Sequence, residues 1–103
     1  MPFARRFLRE LPFGTCVGVA LPETPAFELP PELHPEEAAF ARALPEGTRA
    51  GWVGGRVALR AALAAIGVAA PEPLLATPRG APRLPAGAVG SVSHKRTIAV
   101  ALA

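Results

Sequence analysis

Three stretches of this sequence predict a small mixed domain of the α/β (α+β) class, a small sheet with helices packed on it. Residues 97–102 alternate Thr97, Ala99 and Ala101 with Ile98, Val100 and Leu102, the period-two pattern of a half-buried strand. Thr15 to Leu21 is a second short apolar run of strand type. Between them, Arg49 to about Ile66 places Trp52, Leu59, Leu63 and Ile66 on one side at ~100° per residue, as a helix with one buried face does.

The bulk properties narrow the class of protein. At 103 residues there is room for one small domain or for half of a larger one, and a hydrophobic fraction of 50% excludes a disordered chain in spite of 13 prolines. The net charge of +3 comes from 11 basic against 8 acidic residues, and every basic residue but Lys95 is arginine. That suits a phosphate-bearing ligand and is too small to indicate a nucleic-acid partner. A single cysteine, Cys16, excludes an internal disulfide and, without a Cys/His cluster, a zinc site, in keeping with a reducing cytoplasm. Arg5, Arg6 and Arg9 precede an apolar segment, but Glu10, Pro12 and Gly14 break the pattern of a signal peptide. No run approaches the ~20 apolar residues that span a bilayer. The expectation is a soluble, cytoplasmic protein with no membrane partner.

In chain order, Met1 to Glu10 reads as a short amphipathic helix, and Thr15 to Leu21 as a strand. The proline-rich segment 22–31 is an extended connector. His34-Pro35-Glu36-Glu37 opens a helix to about Leu44, with proline at its first position and two acids where the helix dipole favours them. Pro45-Glu46-Gly47 breaks it, and Thr48 is placed to cap the long helix that Gly67 stops. Leu74 to Thr77 reads as a short strand and residues 78–87 as a stiff, turn-rich connector carrying Arg79 and Arg83. The final strand runs to Ala103 without turn or cap, and the chain is read as cut short.

Two stretches carry the functional signal. Gly90-Ser91-Val92-Ser93-His94-Lys95-Arg96 sets a hydroxyl, an imidazole and two cations together ahead of the last strand, a donor set for an anion. On the long helix, Arg49, Arg56 and Arg60 stand at i, i+7 and i+11, edging the apolar face, where they either grip a phosphate or lie in solvent. Gly51, Gly54 and Gly55 on the same helix each cost ~1 kcal/mol against alanine, so a backbone or a ligand must come close there unless the helix begins only after them. Phosphate-loop, dinucleotide and hydrolase-elbow patterns are absent. Ser93 and His94 would point to opposite faces of a strand. After Glu46 the only acid is Glu72, so the apparent site end has no carboxylates for a metal or a proton.

Taken in order, Arg49, Gly55-Arg56-Val57-Ala58, Arg60, Arg79-Gly80-Ala81-Pro82 with Pro85, and Gly90-Ser91-Val92-Ser93-His94 with Ala99 and Ala101 resemble the first half of a 4′-phosphopantetheinyl transferase, most nearly the enterobactin-synthase or surfactin type. The match runs from about Leu33 to the end. The resemblance implies one half of a pseudo-twofold molecule, residues 1–103 being its N-terminal lobe. Coenzyme A would be bound as substrate in the cleft between halves, with Mg2+ held by the other half. It implies coenzyme A-binding roles for Arg49, Arg56, Arg79, Ser93 and His94, with His94 near the 3′-phosphate. On the residues alone, Arg56 could instead tie the helix to its neighbours. Leu84 stands where the family carries Trp, and Ala81 where many relatives carry a basic residue. The family's Gly-x-Asp-x-Glu segment, which brings the metal carboxylates, would follow Ala103, so no catalytic residue and no metal ligand is expected in this chain. The implied partners are coenzyme A, an acyl or peptidyl carrier protein of polyketide or nonribosomal peptide synthesis, and the C-terminal half, and the lobe alone is expected to be inactive. The competing readings are a non-catalytic coenzyme A or nucleotide-binding module and a partner-interaction module that uses an open strand edge.

Overall fold

The structure, a computed structural model, describes residues 3–24, 26–75, 83–85 and 87–103. Strands β1 (Arg5–Leu11) and β2 (Gly14–Ala20) form a hairpin, followed by helices α1 (Pro35–Ala43) and α2 (Glu46–Ala65), and then by strands β3 (Ser91–His94) and β4 (Ile98–Leu102). The four strands make one sheet in the order β1-β2-β4-β3, antiparallel throughout. The expected α+β class, a small sheet with helices packed on it, is what the structure has.

Alternation decides the faces. Thr15, Val17 and Val19 of β2 and Ala99, Ala101 and Ala103 at β4 are buried, and they meet α2 through Val53, Val57, Ala58, Leu59, Ala62 and Leu63. Small residues on β4 and glycines on α2 let the two layers approach closely. A Cβ at Gly54 would run into Leu21 and Ala99, and one at Gly55 would come within 2.6 Å of Val92. The close approach that the helix glycines required is therefore made by side chains of the strands and of Leu21, just past β2.

The N-terminal segment departs from expectation. Arg5–Leu11 is a strand, because β2 offers it a ladder, with Phe7 opposite Gly18 and its ring filling the space that a side chain there would take. A shift in register between Arg5 and Phe7 inserts Arg6 and changes which face the arginines take, which blurs the alternation a strand would otherwise show. Residues 74 and 75 are likewise not a strand. The Leu74 backbone spends its hydrogen bonds on side chains, its N–H donating to Glu37 and its carbonyl accepting from Arg56. Ala76 and Thr77 lie outside the described residues.

The start of α1 follows the sequence signals, and that of α2 departs from them. At α1, His34 Nδ1 accepts from the Glu36 N–H and Glu37 Oε1 accepts from the His34 N–H, a reciprocal cap with proline at the first turn. Helix α2 begins at Glu46, before Thr48. The Thr48 hydroxyl donates to the Pro45 carbonyl from inside the first turn instead of capping it. Gly67 follows the helix with φ of 80°, the left-handed conformation that suits glycine. Among the described residues no helix is long and apolar enough to cross a membrane.

One buried charge ties these parts together. Glu37, 0% exposed, takes the His34 N–H at 2.8 Å and the Leu74 N–H at 2.6 Å. It also takes a two-pronged contact from Arg60, at 2.6 and 3.0 Å. Arg60 reaches on to the carbonyls of Ala70 and Glu72. Burial alone would raise the Glu37 pKa, but the bonds from Arg60, Leu74 and His34 outweigh it and hold the carboxyl below its ordinary range. Glu37→Ala strands part of this donor set and should lower unfolding free energy by ~3 kcal/mol in urea titration, the low end for a broken buried pair because Arg60 keeps some access to water. The unfolded chain protonates this glutamate more readily than the folded one. Its contribution is therefore complete above the ordinary glutamate range and is lost as pH falls through the depressed folded value, a dependence that the Glu37→Gln variant should lack.

Candidate functional site

Three segments meet at one end of the sheet to form a pocket of about 500 Å³. The chain leaving β2 supplies Leu21 to Thr24, the first turns of α2 supply Glu46, Gly47, Ala50 and Gly51, and the β3–β4 turn supplies His94, Lys95 and Arg96. The turn is closed by the Lys95 N–H donating to the Ile98 carbonyl at 2.9 Å. It is tied to the opposite wall by the Leu21 N–H donating to the Thr97 carbonyl at 2.9 Å. His94, Lys95 and Arg96 are all exposed. The start of α2 has no side-chain cap; the Thr48 N–H donates to the Pro45 carbonyl at 3.0 Å, which leaves the N–H groups of Glu46 and Gly47 without an intrahelical acceptor. A positive turn and a helix amino end thus share one pocket, an arrangement that attracts anions. Glu23 and Glu46 stand on the other walls, which confines the positive side to the turn and offers acceptors elsewhere.

Four of the five expected site residues are described, and they do not gather in one place. Of these four, Arg49, Arg56, Ser93 and His94, only His94 lines this pocket. Ser93 faces the other side of the sheet, since it pairs with Val100 while His94 pairs with Ala99 on the α2 side, and residues one apart in a strand alternate. Arg79 lies outside the described residues.

Arg49 and Arg56 bind the protein's own backbone. Arg49 donates from Nε to the Ala41 carbonyl at 2.9 Å, and from Nη2 to the carbonyls of Arg42 at 3.2 Å and Leu44 at 3.0 Å. It thereby caps the carboxyl end of α1. Arg56, 6% exposed, donates from Nε to the Leu74 carbonyl at 2.7 Å, and its guanidinium lies 4.5 Å over the Trp52 ring, which itself packs on Phe40 of α1. Burial pushes the Arg56 pKa down, and the charge of Glu37 pulls it back. Periodicity put Arg49, Arg56 and Arg60 beside the core correctly. What it lacked was the acceptors, carbonyls far along the chain. Lys95 and Arg96, by contrast, sit at the pocket through the simplest of signals, a polar break between two strand-forming runs.

Among the described residues no three of His, Cys, Asp and Glu stand together as metal ligands.

Comparison with known proteins agrees with this frame. Residues 35–103, about two thirds of the chain, match the family model for the 4′-phosphopantetheinyl transferase N-terminal domain. A search of curated proteins found no match. The chain belongs to the 4′-phosphopantetheinyl transferase family, through that N-terminal domain.

Arg49→Ala should lower stability by ~2 kcal/mol, in line with loss of charged hydrogen bonds, while His94→Ala should change it by under ~0.5 kcal/mol, as expected for an exposed side chain. Lysine at position 49, with no planar fork, should recover only a fraction of the loss. Thermal or urea unfolding followed by circular dichroism separates the two cases.

Proposed function

We propose that this domain holds the nucleotide end of coenzyme A, as the N-terminal half of an enzyme that transfers the 4′-phosphopantetheinyl group to a serine of an acyl or peptidyl carrier protein. The observation that carries the reading is the His94-Lys95-Arg96 turn opening on one pocket with the uncapped start of α2, in a chain of this family. An imidazole, an ammonium and a guanidinium suit a terminal phosphate monoester, and Glu23 and Glu46 suit the hydroxyl and amino donors of a nucleoside.

In the reaction, the serine oxygen forms a bond to the phosphorus that bears the pantetheine arm. The bond from that phosphorus to the bridging oxygen breaks, and adenosine 3′,5′-bisphosphate leaves. The serine proton passes to a base. This domain's residues hold the leaving nucleotide and add positive charge beside it as negative charge gathers there. The carboxylates for proton removal and for magnesium belong, in this reading, to the C-terminal half, so the isolated domain binds coenzyme A and transfers nothing. The order of the helix and strand-entry motifs favours the enterobactin-synthase type within the family.

Titration calorimetry with coenzyme A and with 3′-dephospho-coenzyme A tests the site. His94→Ala should weaken coenzyme A by roughly 10-fold or more, the worth of one charged hydrogen bond, and should leave the dephospho compound almost unaffected. Equal affinity of the wild-type, His94→Ala and Arg96→Ala chains for coenzyme A would overturn the assignment.

A further inference from the structure

The imidazole of His94 is exposed to the pocket and yet seated on the helix. A Cβ placed on Gly51 would lie 2.5 Å from His94 Nδ1, 2.6 Å from Cε1 and 2.9 Å from Cγ, so the Nδ1 side of the ring rests on bare α2 backbone. Its Nε2 edge is left on the far side. All three nearest atoms belong to the one side chain, whereas Gly90 is hemmed by the backbone oxygen of Leu102. One strand pair earlier the same thing recurs, with Val92 seated at Gly55.

These seats match in spacing. Four residues along a helix rise ~6.0 Å, and two along a strand rise ~6.8 Å, so Gly51 and Gly55 stand nearly in step with His94 and Val92. The pair of notches fixes where β3 lies along α2. A slip by one residue would present Ser91 and Ser93 to the helix instead, and the imidazole would leave the pocket.

We propose that Gly51 is a positioning residue for His94. By lacking a side chain it gives the imidazole a fixed seat on the pocket wall, and it acts on ligand binding only through that ring. The part concerning ligand rests on the proposed coenzyme A site, and the seat itself does not.

If the glycine served helix-sheet packing in general, replacing it would do harm whatever occupied position 94. If it serves the His94 ring, the harm must vanish when the ring is removed. Alanine is otherwise the better helix residue, so the sign should reverse.

The test is a double-mutant cycle on the 103-residue chain, using Gly51→Ala, His94→Ala and the double variant. In ligand-free protein, Gly51→Ala should displace the His94 side-chain resonances in heteronuclear NMR and lower the melting temperature. In the His94→Ala background it should raise the melting temperature. With coenzyme A as probe, Gly51→Ala should weaken binding roughly tenfold, like His94→Ala, and the double variant should bind no worse than His94→Ala alone. Unmoved His94 resonances in Gly51→Ala would overturn the proposal, as would an equal loss of melting temperature in both backgrounds. If Gly51→Ala proves too unstable to study, recovery of a folded protein in the double variant supports the seat, and failure to recover refutes it. A wild-type chain that does not bind coenzyme A would sink the site assignment, and the ligand-free resonances would still decide the role of Gly51.

Discussion

Everything in this domain depends on how near α2 comes to its sheet. The helix presents Gly51, Gly54 and Gly55 where strand side chains arrive, and β4 answers with Ala99, Ala101 and Ala103. A helix loses stability for each internal glycine, and here the loss is offset by burial that larger residues would prevent. The same closeness sets β3 and the turn after it against the first turns of α2, and so forms the pocket that His94, Lys95 and Arg96 line.

The arginines divide between two tasks according to what surrounds them. Those on α2 face carbonyls left open by chain ends and irregular segments: Arg49 the end of α1, Arg56 and Arg60 the stretch from Ala70 to Leu74. A guanidinium is suited to this, since it offers several donors in one plane and loses its hydration more readily than an ammonium. Arg60 also neutralises Glu37, the one ion pair among the described residues. At the pocket, the charge left for a ligand is therefore on the β3–β4 turn and not along the helix.

Much of the fold was legible in the sequence because its signals are local. The helix of residues 35–43 carries its own cap and proline and that of 46–65 its glycine stop, although its start was expected three residues later, and β2 and β4 read as short apolar runs. Residues 5–11 misled because a bulge disrupts the strand alternation and three arginines spaced among Phe7 and Leu8 imitate an amphipathic helix. The site was partly legible. The Ser93 and His94 side chains were expected to diverge and do. The stripe of arginines was placed beside the core, but its acceptors lie up to 23 residues away and no spacing rule reveals them.

By itself, the sequence determined the class of fold, the two helices, the polar segment carrying His94, Lys95 and Arg96 ahead of the last strand, and a resemblance that the match supports at the level of the family, since each rests on neighbours in the chain or on an ordered set of motifs. Only the tertiary structure decided what each charged or missing side chain does. It gave Glu37 to Arg60, Arg49 and Arg56 to backbone carbonyls, and Gly51 to the ring of His94. The reason is physical: a hydrogen bond or a close contact is settled by what packs opposite, and those partners come together only when the chain has folded.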